Sequence, residues 1–136
     1  MNTTQRTLEG RRILLAEDAL AIAEEMATAL GDAGVDVIGP FPRLDRLIEA
    51  IETPGFSADA ALLDVDLRGV DVFPAAKRLK ALGVPFILTT GFAAEHIPPD
   101  FRDEPRLEKP VDLNVLMKEL CQLLGLPPDA SPPAAS

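Results

Sequence analysis

The sequence predicts an α/β fold, a doubly wound sheet of five parallel strands with helices on both faces. Three observations carry that prediction. Short apolar runs alternate with segments in which apolar residues recur at helical spacing. The third such run, AALLD at residues 60–64, is so uniformly apolar that both its faces must be covered, which implies a parallel sheet. The connections are short, and strands joined through helices in this way cross over right-handedly, which winds helices onto both faces.

Element by element, the first strand is Arg12 to Ala16 (RILLA). Ile22, Met26, Leu30 and Ala33 then recur at helical spacing, and Gly34 ends that helix. VDVIG at residues 35–39 forms the second strand, and Leu44, Leu47, Ile48 and Ile51 line one face of the second helix. Thr53, Pro54 and Gly55 break the chain before the third strand. The third helix runs from about Asp71 to Leu82: Val72, Ala76 and Leu79 make its stripe, Pro74 sits in the tolerated first turn, and Gly83 stops it. FILTT at residues 86–90 is the fourth strand and Arg106 to Glu108 a poor fifth. Leu113, Leu116, Leu120 and Leu123 mark the last helix, with Asp112 as its N-cap. The rhythm breaks between Gly91 and Pro105, where three prolines and no sustained apolar period leave the fourth helix reduced or missing. The arrangement expected is flavodoxin-like, with strand order 2-1-3-4-5. Residues 1–10 read as a flexible N-terminus, 11–125 as the folded domain, and 126–136, with four prolines and no basic residue, as a disordered tail.

Composition narrows the function. The 136 residues leave room for one domain, and 47% hydrophobic with 26% charged residues describes an ordinary soluble globular protein. No apolar run reaches the roughly 20 residues of a membrane span. MNTTQRTLEGRR at the start lacks the apolar stretch and cleavage site of a secretory signal, so a cytoplasmic protein without a membrane partner is expected. A formal net charge of −9 works against binding the polyanionic backbone of nucleic acid. The lone Cys121 falls in an apolar helical pattern and reads as core, since it can form neither an internal disulfide nor a cysteine metal cluster.

In doubly wound sheets, ligands bind beyond the carboxyl ends of the strands, where strand order reverses. There the sequence places Glu17 and Asp18 after the first strand, and Asp64 and Asp66 at and beyond the end of the third. Thr90 ends the fourth, and Lys109 follows the fifth. Carboxylates forced together raise one another's pKa unless a cation neutralises them. Mg²⁺, a hard ion that keeps waters and is usually bound by one or two carboxylates plus a phosphate, suits Asp18 and Asp64. Phosphoryl transfer needs an oxygen nucleophile held in line and charge to meet that of the phosphoryl oxygens. Asp64 is the candidate nucleophile because carboxylates form acyl phosphates, while Lys109 supplies a point charge and Thr90 a hydrogen bond.

Glu17-Asp18, the stretch LLDVD ending at Asp66, Thr90 and Lys109-Pro110 resemble the response-regulator receiver pattern in order and spacing, over about residues 11–124. The resemblance implies a single-domain regulator of two-component phosphorelay signalling. It would accept a phosphoryl group on Asp64 from a histidine kinase or histidine phosphotransfer protein and signal through an unidentified downstream protein. It implies Mg²⁺ as cofactor, served by Glu17, Asp18, Asp64 and the backbone carbonyl of Asp66, with phosphoryl chemistry on Asp64, Thr90 and Lys109. It also implies a cis Lys109–Pro110 peptide. Such a receiver is no enzyme beyond catalysing its own phosphorylation and dephosphorylation.

LTTGF at residues 88–92 is similar to a receiver subclass in which the threonine is followed by glycine and an aromatic, often with a reduced fourth helix. Arg106 stands where many receivers carry a Tyr or Phe that turns inward on phosphorylation. The switch is therefore expected at Thr90, Gly91 and Phe92 and in the segment they open, because burying the Arg106 guanidinium unpaired is costly.

Other readings compete. DVDLR also resembles the first motif of haloacid-dehalogenase-type phosphatases, but those enzymes carry that motif on the first strand with the acid pair downstream, whereas Glu17-Asp18 lies upstream. A receiver-shaped module that signals without phosphorylation is disfavoured by the intact acidic site. Glu17 and Asp18 also suit simple helix capping, Asp66 a solvent-facing role, and Thr89 the place given to Thr90. His96, the sole histidine, has no sequence partner that would give it a role.

Overall fold

A computed structural model of the chain describes residues 7–91 and 97–127. The elements are β1 (Arg12–Ala16), α1 (Leu20–Asp32), β2 (Asp36–Phe41), α2 (Leu44–Glu52), β3 (Ala60–Asp64), β4 (Asp66–Leu67) and β5 (Val70–Asp71). They continue with α3 (Phe73–Ala81), β6 (Phe86–Thr90), a 3₁₀ turn at Pro99–Phe101, β7 (Arg106–Glu108) and α4 (Leu113–Leu123). Five strands pair in parallel in the order β2-β1-β3-β6-β7, which is the expected 2-1-3-4-5 once the small β4–β5 hairpin is set aside.

The period of two along each strand divides the interior into two cores. Leu14, Ala61, Leu63, Phe86 and Leu88 face Leu47 and Ile51 of α2 and Phe73, Ala76 and Leu79 of α3. Ile13, Leu15, Ala60, Leu62 and Ile87 face Met26 and Leu30 of α1 and Leu116 and Leu120 of α4. Every residue of β3 and β6 is buried, as expected for strands covered on both faces.

Several details depart from the sequence reading. α1 buries Ala23, Met26 and Leu30, while Ile22 is 38% exposed, so the inward stripe is rotated by one residue. The turn at residues 7–10 is packed rather than loose: Leu8 is buried in the second core, and the Gly10 amide donates to the Gly34 carbonyl at 2.9 Å. β2 begins at Asp36 and runs past Gly39 to Phe41, with its register against β1 shifting between Leu14 and Ala16. Gly39 has φ 108°, and a Cβ there would lie 2.7 Å from the Leu15 carbonyl oxygen, so only glycine fits that close approach. Asp71, expected to open the third helix, belongs to β5, and α3 starts at Phe73.

Between β6 and β7 the only helical element among the described residues is the 3₁₀ turn, whose Phe101 stacks on Phe73 with ring centroids 5.1 Å apart. Phe92, His96 and the tail from residue 128 lie outside the described residues. Asp112 caps α4 as expected, accepting from the Asn114 and Val115 amides at 2.8 and 3.3 Å, and Cys121 is buried in the core. Among the described residues no helix is long and apolar enough to cross a membrane.

Candidate functional site

β1 and β3 are neighbours and end on the same edge of the sheet, with Ala16 beside Leu63. The next residues, Glu17 and Asp18 on one side and Asp64 on the other, are thereby brought together: one carboxylate oxygen from each lies within 4.8 Å of the others. β7, paired with β6, carries Lys109 to the same edge, and the Lys109 amide donates to the Thr90 carbonyl at 2.9 Å. The Lys109 ammonium lies 2.7 Å from Asp64 Oδ2 and 3.2 Å from Glu17 Oε1. Lys109–Pro110 is a cis peptide, as is Gly39–Pro40.

Each carboxylate is held differently. Glu17 is buried and also accepts from the Ala19 amide at 3.1 Å, so it serves the start of α1 as well as Lys109. Asp64 Oδ1 accepts from the Asp66 amide at 3.1 Å, which leaves Oδ2 to the ammonium. Asp18 is half-buried, and its Oδ2 accepts from the Arg68 amide at 2.8 Å.

Burial pushes the Asp64 carboxyl up to about 7, helped by the neighbouring charge of Glu17, while Lys109 and the Asp66 amide pull the other way. Partial burial acts to raise Asp18 too, but the Arg68 amide, hydrogen bonds with Asp64 and Glu17 and the charge of Lys109 outweigh it and hold that carboxyl low. Burial opposes the charge on Lys109, yet the contacts with Asp64 and Glu17 win and keep its ammonium above the ordinary range.

The donor set fits a hard divalent cation: three carboxylates on one edge, one of them with a raised pKa that an ion would relieve. The Asp66 carboxylate is not part of this cluster, although the Asp66 amide donates to Asp64 Oδ1. Asp66 is half-buried, and its Oδ1 accepts from the Gly69 amide at 2.7 Å inside the hairpin. Register pairs Asp64 with Thr89 and Thr90 with Glu108; both threonines are buried, and strand alternation turns them to opposite faces. Gly91 is exposed, and Arg106 is exposed with its guanidinium donating to the Arg102 carbonyl at 3.1 Å.

The β4–β5 hairpin has no counterpart in the sequence reading. Its loop is Arg68-Gly69, with Leu67 opposite Val70 and Asp66 opposite Asp71. The available signal was a two-residue turn between apolar positions, but Arg-Gly is not among the pairs that usually announce one. Arg68 has φ 55°, a left-handed conformation that costs an L residue about 1–2 kcal/mol.

No protein-family model and no curated protein matches the chain. Among solved structures it is similar to SdrG from Sphingomonas melonis Fr1, at 33% identity over 87% of this chain and 98% of that one, with TM-score 0.72. It is also similar to a response regulator receiver protein from Sinorhizobium medicae WSM419, at 26% identity over 87% and 97% of the two chains, with TM-score 0.73. A CheY-like response regulator receiver domain protein from Methanospirillum hungatei JF-1 shares the fold at 22% identity, 85% and 94% coverage and TM-score 0.73.

Proposed function

The chain belongs to the response-regulator receiver domains, and from that premise we propose that it accepts a phosphoryl group on Asp64 from a histidine kinase or histidine phosphotransfer protein in a Mg²⁺-dependent reaction. The observation that carries this reading is the buried Asp64 carboxylate, 2.7 Å from the Lys109 ammonium and beside the carboxylates of Glu17 and Asp18. An Asp64 oxygen forms a bond to phosphorus as the P–N bond of the donor phosphohistidine breaks, its electron pair returning to the imidazole. Lys109, already on Asp64 Oδ2, is close enough to meet the charge of the incoming phosphoryl oxygens, and Thr90 offers a hydroxyl from the end of β6. Asp18 and Asp64, with Glu17 beside them, would hold the Mg²⁺, which when bound neutralises charge on the phosphoryl oxygens. Water returns the acyl phosphate to a free carboxylate and inorganic phosphate.

Within the family the chain is assigned to the receivers whose threonine is followed by glycine and an aromatic, as in Thr90-Gly91-Phe92. Phosphorylation is then read out by the segment that follows Thr90 and passed to a protein partner in the cytoplasm. The exposed, carbonyl-bound Arg106 supports that reading over an inward-turning side chain on β7. SdrG has been solved in a BeF3-activated conformation, with 33% identity to this chain and TM-score 0.68, which makes beryllofluoride a suitable activating probe here.

The test is to incubate the protein with acetyl phosphate and Mg²⁺ and record its intact mass. One added phosphoryl group on the unsubstituted chain and none on Asp64→Asn is expected; addition to Asp64→Asn, or none to the unsubstituted chain, overturns the assignment.

A further inference from the structure

Both residues of the β4–β5 loop hold positive φ, 55° at Arg68 and 83° at Gly69, as a type I′ hairpin turn requires. Glycine or asparagine would sit at the first of these positions without strain, so something must hold Arg68 there. Two hydrogen bonds bracket the turn. The Gly69 amide donates to Asp66 Oδ1 at 2.7 Å, and the Arg68 amide donates to Asp18 Oδ2 at 2.8 Å. The first ties the turn to its own strand; the second ties it to a carboxylate 50 residues earlier in the chain.

The Asp66 carboxylate is outside the cluster formed by Glu17, Asp18 and Asp64, so its side chain has work other than direct ligation. We propose that Asp66 is a positioning residue for Mg²⁺ binding: by capping Gly69 it holds the β4–β5 turn so that the Arg68 amide fixes the Asp18 carboxylate beside Asp64. The proposal rests on the reading of Asp18 and Asp64 as metal ligands. Its physical basis is preorganisation. Asp18 begins α1's approach from a half-buried position, and a ligand carboxylate already oriented by an outer hydrogen bond does not have to be ordered when the ion arrives. A backbone amide suits that task because it is neutral and adds no competing charge.

The test compares Asp66→Ala, which removes the cap, with Asp66→Asn, which keeps an oxygen able to accept from Gly69 but removes the charge. Without metal, amide hydrogen exchange followed by NMR is expected to speed up at Arg68 by about tenfold in Asp66→Ala and to stay at the unsubstituted rate in Asp66→Asn. In a Mg²⁺ titration followed by amide shifts, the Kd is expected to rise about five- to tenfold in Asp66→Ala and to be restored in Asp66→Asn. Equal weakening in both variants would give the Asp66 charge a direct part in binding and overturn the positioning role. Tight Mg²⁺ binding by Asp66→Ala would overturn this proposal alone, whereas failure of the unsubstituted protein to bind Mg²⁺ would overturn the metal reading and this proposal with it.

Discussion

The Lys109 ammonium and the Asp64 carboxylate meet at 2.7 Å although 45 residues separate them in the chain. Because the same ammonium lies 3.2 Å from Glu17 Oε1, one cation serves two buried carboxylates. The site is thus left with more negative than positive charge at its centre. Asp18 adds a third carboxylate at the rim, and that excess suits a divalent ion, while burial, helped by the charge of Glu17, raises the pKa of Asp64.

Mg²⁺ affinity is expected to depend on pH. Asp64 titrates at about 7, so below that value a proton must leave before the carboxylate can ligate, and affinity rises with pH until it levels off above about 7. Stability of the metal-free protein should move the other way. The folded-state pKa is raised from 3.8 to about 7, so the folded chain holds this proton more tightly than the unfolded one, and the Asp64 contribution is lost as pH rises through that window. Thermal melts at pH 5 and pH 8 check this: Asp64→Asn, and separately Mg²⁺ addition, should recover stability at pH 8. A Kd that is flat between pH 6 and 8 contradicts the assignment.

Removing the ammonium while leaving the carboxylates is expected to destabilise the metal-free fold. Lys109→Met strands Asp64 and Glu17 without their cation, at a cost of about 1–3 kcal/mol once the partial exposure of Lys109 is allowed for. Adding Asp64→Asn to Lys109→Met should restore part of the loss. Urea denaturation of the two single variants and the double variant measures the coupling; additive effects count against a shared site.

Asp18→Ala is expected to weaken Mg²⁺ binding at least about tenfold, since a hydrated Mg²⁺ ion relies on only one or two protein carboxylates. The fold should survive, because Asp18 is half-buried and belongs to neither core. Isothermal titration with Mg²⁺ decides it, and an unchanged Kd removes Asp18 from the ligand set.

Activation with beryllofluoride and Mg²⁺ is expected to change hydrogen exchange most between Ile97 and Pro105. That stretch follows the Thr90-Gly91 end of β6, contains a single 3₁₀ turn, and feeds directly into β7 and Lys109. A main response in α2 or α3 instead would place the readout elsewhere.

The strands and helices of this chain were readable because they are written in local pattern. AALLD and FILTT proved buried on both faces, and Asp112 caps the helix it was expected to cap. The same local logic brought Glu17, Asp18, Asp64 and Lys109 to the correct strand ends, and the parallel sheet then gathered them on one edge. It failed where the determinant was a partner far away in sequence. Ile22 fits the α1 period as well as Ala23 does, and only packing against the sheet and α4 decides which turns inward. Leu8 has no periodic neighbours to announce it, yet it fills a place in the second core.

By itself, then, the sequence determined the order of the five sheet strands and their helices, the two-faced sheet and the strand ends at which the candidate site residues lie, because periodicity and capping are properties of neighbours along the chain. Tertiary structure alone decided which groups pair. Lys109 is shared between Asp64 and Glu17, and Asp18 takes the amide of Arg68, whose strained turn is held at its other end by Asp66. Those contacts depend on strand ends brought within hydrogen-bonding distance, and on a left-handed arginine that local preference opposes and that its hydrogen-bonded surroundings maintain.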